Sequence, residues 1–136
     1  MKGDRATSLV FKDNQVLMIF RRKNGSEYYV LPGGGIEDNE TLEYAVIREL
    51  SEETSINASF DKKLISIKDD VSGRMNHICL CKYISGAPKL AADSVEVSRT
   101  SDKNTYNPMW VDINKIKNLT LFSEQTKNFL VKYFKK

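Results

Sequence analysis

The stretch from Gly33 to Ile56, GGGIEDNETLEYAVIRELSEETSI, constrains this chain more than any other. Its second half has the periodicity of a helix, yet that helix carries acids where it should carry core. With Glu49 as zero and about 100° per residue, Glu53 falls near 40° and Glu52 near −60°, beside Leu42 near 20°, Ala45 near −40° and Val46 near 60°. The carboxylates continue the apolar stripe instead of opposing it. Charges at i, i+3 and i+4 repel one another, so such a helix packs against a fold only where a cation or strong base neutralises them. A hard dication is the simplest neutraliser, because Mg²⁺ and Mn²⁺ take oxygen ligands and keep waters that phosphate oxygens can replace. Arg48, beside Glu49 and one turn before Glu52, is positioned to pair with Glu52 and hold its orientation. A Glu-rich helix standing alone reads more simply as a solvated surface. The glycines directly ahead favour a site, since backbone freed of side chains lets metal and phosphate come close.

The elements around this helix alternate in type. TSLVFKDNQVLMIFRR reads as two strands joined at Asp13-Asn14, a pair that tolerates the positive φ of tight hairpins. YYVLP follows as a short strand, ended by Pro32 and by glycines that permit backbone conformations closed to other residues. Asp38 or Asn39 is expected to cap a helix from Glu40 to Thr54, with Glu40 in its positively polarised first turn. KLISIKDD, RMNHICLCKYISG and NPMWVDI are expected as strands. Ser123 is expected to cap a terminal helix that buries Phe129, Leu130, Tyr133 and Phe134. This order predicts an α/β (α+β) fold with a mixed sheet between helices.

The 136 residues, 40% hydrophobic and 29% charged, suit one domain over 1–136. A net charge of +3 is too mild to select a polyanionic partner, and no interleaved aromatic and basic motif supports an RNA-binding domain. Cys79 and Cys81, one residue apart in an alternating strand, read as reduced core thiols rather than a metal pair with His77. No N-terminal segment has the apolar core of a signal peptide, and no run of about twenty apolar residues is present. A cytoplasmic location is the expectation, without a membrane partner.

Gly34, then Glu40, then Arg48-Glu49-Leu50, Glu52-Glu53 and Ile56 resemble the signature of the Nudix hydrolases, G-x5-E-x7-R-E-U-x-E-E-x-G-U with U apolar, over 34–56. One position departs: Ser55 stands where the family has glycine, so a residue with a Cβ must make the closing turn. The resemblance implies the Nudix fold and a Mg²⁺- or Mn²⁺-dependent, MutT-like pyrophosphatase that cleaves a nucleoside diphosphate linked to another moiety. It implies Glu49 and Glu53 as principal ligands, Glu52 as a ligand or water-orienting group, and the Gly33 carbonyl as a further ligand. Glu49 or Glu52 would serve as base, with Arg48 supporting them, and Glu40 would be structural. A further acid from a later loop is expected at Glu96 or Asp102. Homodimers are frequent in the family.

Substrate choice stays open between nucleoside triphosphates, nucleotide sugars, ADP-ribose and the pyrophosphate of RNA 5′ ends. Arg21, Arg22, Gly34, Tyr28, Tyr29, Tyr106 and Trp110 are candidates to stack a base or hold phosphate, with Trp110 favoured as packing. The polar segment Ser98 to Tyr106 is long enough for a recognition loop. A nucleotide-sensing module that does not cleave is the alternative, and the intact acids weigh against it.

Overall fold

The computed structural model describes residues 3–90 and 104–135. In chain order the elements are β1 (Arg5–Leu9), β2 (Phe11–Lys12), β3 (Gln15–Lys23), β4 (Ser26–Val30), β5 (Gly33–Gly35), α1 (Leu42–Thr54), β6 (Asn57–Lys68), β7 (Met75–Ser85), β8 (Asn104–Asp112), a 3-10 turn (Ile113–Asn118) and α2 (Glu124–Tyr133). The expected mixed sheet is divided in two. One sheet runs β5-β1-β7-β6, with β1 and β7 parallel, and the other sets β3 between β8 on one side and β2 and β4 on the other.

Local sequence explains the hairpins. Asp13 (φ 51°) and Asn14 (φ 62°) turn β2 into β3, and Asn24 (φ 51°) with Gly25 (φ 86°) turns β3 into β4. Both pairs have the two positive φ values of the turn that matches strand twist. Strand β3 is the spine of its sheet, with Val16, Leu17, Met18 and Ile19 all buried. Its alternation sends Val16 and Met18 into a cluster with Leu9, Ile78, Ile116 and Leu130, while Leu17 joins Ala6, Val46, Leu50 and Cys79 on the other face.

Several expectations are corrected by the geometry. Thr41, extended at φ −79° and ψ 161°, caps α1 by accepting from the Tyr44 N–H at 3.1 Å, in place of Asp38 or Asn39. Asn39 is instead spent on a turn at φ 66°, and Glu40 precedes the helix. None of Gly33, Gly34 and Gly35 has positive φ; they form extended β5 against β1, so their small size serves close approach and not unusual torsion. In α2, capped by Ser123 as expected, the fully buried positions are Thr126 and Leu130. Phe129 and Phe134 are half-buried, and Tyr133 is exposed in an edge-on cluster with Phe11 and Phe134.

Cys79 and Cys81 are free, buried thiols on one face of β7, and burial pushes them up to about 11 and about 12. His77 is held between Ser66, at 2.7 Å from Nδ1, and the Asp4 carboxylate, at 3.0 Å from Nε2. Since the Asp4 carboxylate also accepts from the Met75 N–H and the Asp4 backbone carbonyl accepts from the Ile36 N–H, this network ties the start of β1 to β7 and to the loop before α1. Among the described residues no helix is long and apolar enough to cross a membrane.

Candidate active site

The two sheets face one another across a cleft of about 580 Å³, and α1 closes one end of it. Leu50, Val46 and Ala45 bury the body of α1 against β1, and the same stripe then delivers Glu49 and Glu53 to the cleft. Both carboxylates are nearly inaccessible, at 8% and 6% exposure, although they line it. Burying carboxylates costs several kcal/mol unless each meets donors or a cation, which makes their surroundings informative.

Glu53 accepts from the backbone N–H of Gly33 at 2.8 Å. Glu49 lies over Gly34 so closely that a Cβ there would fall on its carboxylate, and a Cβ on Gly33 would meet Thr7 Oγ1 at 2.6 Å and the Ala6 carbonyl at 2.7 Å. Strand β5 thus has to be glycine at both positions, Gly34 because the Glu49 side chain of the helix lies directly on it and Gly33 because Thr7 and Ala6 of the neighbouring strand β1 do.

Arg48 organises the remaining charge. Its Nε and Nη2 hold Glu40 at 2.5 and 2.8 Å, its Nη1 reaches Glu49 at 2.9 Å and Glu52 at 3.3 Å, and Nη2 donates to the Gly35 carbonyl at 3.2 Å. The two-point contact with Glu40, more than the expected one with Glu52, is its principal bond. That contact holds the Glu40 carboxyl below its ordinary range, with the Glu37 N–H adding to the effect, and raises Arg48 further above its own. Glu40 therefore bridges the loop before the helix to the middle of it.

Among the described residues no three acidic, histidine or cysteine side chains already converge as a ligand set. Glu52, with 40% of its side chain exposed, turns to Arg48 and does not join Glu49 and Glu53. The donor chemistry still fits a hard dication: two buried carboxylates stand over side-chain-free backbone in a cleft of phosphate-accepting size.

The other expected residues separate cleanly. Arg21, Tyr28, Tyr106, Gly33 and Gly34 line the cleft. Arg22 does not: alternation along β3 turns it outward, where it pairs with Glu27 at 2.7 Å. Trp110 packs edge-on against Tyr83 at 5.6 Å and lies outside the cleft, as does Tyr29. Glu96, Asp102 and most of the Ser98 to Tyr106 segment lie outside the described residues. Arg5, Thr7, Glu37, Asp69, Phe122 and Thr126 line the cleft without having been singled out by sequence. They come from four separate stretches of chain, which no single motif joins.

The family described as NUDIX domain matches residues 1–132. An ADP-ribose pyrophosphatase of Methanocaldococcus jannaschii is 31% identical over 113 residues, covering 79% of this chain and 66% of that one. A MutT-like protein of Streptomyces ambofaciens is 34% identical over 90 residues, covering 66% and 57%. The matches thus span just under two thirds of these relatives or less. Among solved structures, the Escherichia coli ORF135 protein superposes with a TM-score of 0.69 at 19% identity, covering 96% of this chain and 86% of that one. A MutT structure from work on Aliivibrio salmonicida and Vibrio cholerae gives 0.72 at 17%, covering 96% and 97%. At these identities the structural likeness speaks for the fold alone.

Proposed function

Because the chain belongs to the NUDIX family, we propose that it is a divalent-metal-dependent pyrophosphohydrolase that cleaves a phosphoanhydride bond in a nucleoside diphosphate linked to another moiety. The observation that carries this reading is the burial of Glu49 over Gly34 and of Glu53 on the N–H of Gly33 at one end of an open cleft. A purely structural pair of buried carboxylates would need neither the cleft nor the bare strand. The names of the relatives from Methanocaldococcus jannaschii and Streptomyces ambofaciens agree with this class of reaction.

Glu49 and Glu53, with the Gly33 carbonyl, are the groups that would hold Mg²⁺ or Mn²⁺. When bound, the ion would neutralise phosphate charge and polarise the anhydride. The N–H of Gly33 fixes Glu53 through its 2.8 Å bond, so that carboxylate needs no rearrangement to present its other oxygen. Arg48 positions Glu49 while its own guanidinium is held by Glu40 from the loop before the helix. Glu52 is more solvated than Glu49 and Glu53 and has a weaker bond to Arg48 than Glu49 has, which supports it as the group that accepts a proton from the attacking water.

The test is release of phosphate or pyrophosphate, with and without Mg²⁺ or Mn²⁺, from nucleoside triphosphates, nucleotide sugars, ADP-ribose and triphosphorylated RNA. Metal-dependent turnover of one class, abolished by chelation, is expected. No turnover on any of them in folded, metal-loaded protein would overturn the reading in favour of a sensing module.

A further inference from the structure

The face of β3, β4 and β8 that enters the cleft is a graded floor. Register sets Ile19 opposite both Val30 and Pro108, and Arg21 opposite both Tyr28 and Tyr106. Two rows therefore cross three strands, about 7 Å apart along β3. The row nearer Gly33 is apolar, and the farther one reads tyrosine, arginine, tyrosine. Arg21 is fixed in it, with its guanidinium 3.8 Å from the Tyr106 ring centre, its Nε donating to the Thr105 carbonyl at 3.2 Å and its Nη2 to Asn104 Oδ1 at 2.7 Å.

Phe122 stands at the mouth of this floor. It lines the same cleft as the carboxylates, is 67% exposed, and its ring sits 6.4 Å from that of Tyr28 at 60°. A phenylalanine just before a helix cap commonly packs onto the fourth helical residue. In α2 that residue is Lys127, so this explanation fails. Nor is the segment loose. The Phe122 N–H donates to the Tyr29 carbonyl at 3.0 Å, the Tyr29 N–H donates to the Thr120 carbonyl at 2.8 Å, and Leu121 between them is buried. The fold thus fixes the backbone that carries a large apolar ring beside a polar cleft and leaves most of that ring in water.

We infer that Phe122 and Tyr28 form an aromatic jaw for the base of the nucleotide, with the apolar row under the ribose and the phosphoanhydride at the carboxylate end; this rests on the reading given above. A flat ring fits where Phe122 can turn to face Tyr28, and stacking is tolerant of base identity. A lipid tail fits poorly, because the floor at the jaw is the Arg21 row. Phe122 is accordingly a specificity residue that selects phosphoanhydrides carrying a base over those without one.

The experiment measures Mg²⁺-supported binding of ADP and of inorganic pyrophosphate by calorimetry, for the unaltered protein, Phe122→Ala and Phe122→Trp. Phe122→Ala is expected to weaken ADP by roughly 5- to 100-fold and to leave pyrophosphate unchanged, while Phe122→Trp keeps ADP affinity. Equal ADP affinity in Phe122→Ala, or an equal loss for both ligands, overturns the inference, as does failure of the unaltered protein to bind ADP more tightly than pyrophosphate. The two readings fail separately. Turnover without an effect of Phe122→Ala sinks only the jaw, and an ADP-selective effect without turnover on any substrate sinks only the hydrolase.

Discussion

Gly34 lies directly beneath the carboxylate of Glu49, with no room between them for even a methyl group. The acid is therefore located by what the strand lacks. Gly34→Ala is expected to push Glu49 away from the cleft and to cost about 1–3 kcal/mol of stability through overpacking. Urea unfolding measures the second effect and Mn²⁺ titration the first, and a variant with native stability and native metal affinity would show that the strand shifts freely.

Glu53→Gln changes charge with almost no change of shape. Its Oε1 can still accept from Gly33, so the fold should persist by circular dichroism while turnover drops by roughly 100-fold or more. Undiminished turnover in the folded variant would remove Glu53 from the metal site.

Glu40 supplies a pH dependence whose sign can be worked out. Arg48 lowers its pKa below the ordinary 4.5. A group with a depressed native pKa stabilises above its unfolded pKa and loses that contribution as pH falls through the native one. Stability should accordingly decline as the solution is acidified below about 4.5, with this component absent in Glu40→Gln. Thermal melts from pH 7 to pH 3 test it: Glu40→Gln should melt lower than the parent at pH 7, and the gap should narrow in acid.

Ser55 ends α1 in the left-handed region at φ 60°, with its N–H bonded to the Ser51 carbonyl at 2.9 Å. The glycine of the family signature would adopt that torsion without strain. Ser55→Gly should stabilise the protein by about 1 kcal/mol and leave kcat unchanged. Destabilisation would mean that the serine side chain contributes more than its torsion costs.

The parts of this fold that were legible in sequence are those governed by neighbours in the chain. Asp13-Asn14 announces its turn because both residues tolerate positive φ, and Glu49 with Glu53 announce the site because helical spacing puts them among Val46 and Leu50. Contacts between distant segments left no such trace. The role of β5 as bare backbone under the helix depends on where β1 and α1 meet, and Thr41 displaced Asp38 and Asn39 as cap because the preceding turn claimed Asn39. Arg22 differed from Arg21 only by strand parity, which a one-residue register settles. Phe122 was invisible because its sequence position, next to a helix cap, has an ordinary packing explanation that only the identity of Lys127 and the exposed ring remove.

The two backbone bonds that seat Phe122 also finish the sheet. Tyr29 spends both its N–H and its carbonyl on Thr120 and Phe122, so the outer margin of β4 presents no paired donor and acceptor at its centre to another chain. Open margins of that kind are where β-proteins associate strand to strand into insoluble aggregates. A deletion that shortened the connection between the 3-10 turn and α2 would thus be expected to reduce solubility along with nucleotide affinity, because one short stretch of chain guards the sheet and frames the cleft.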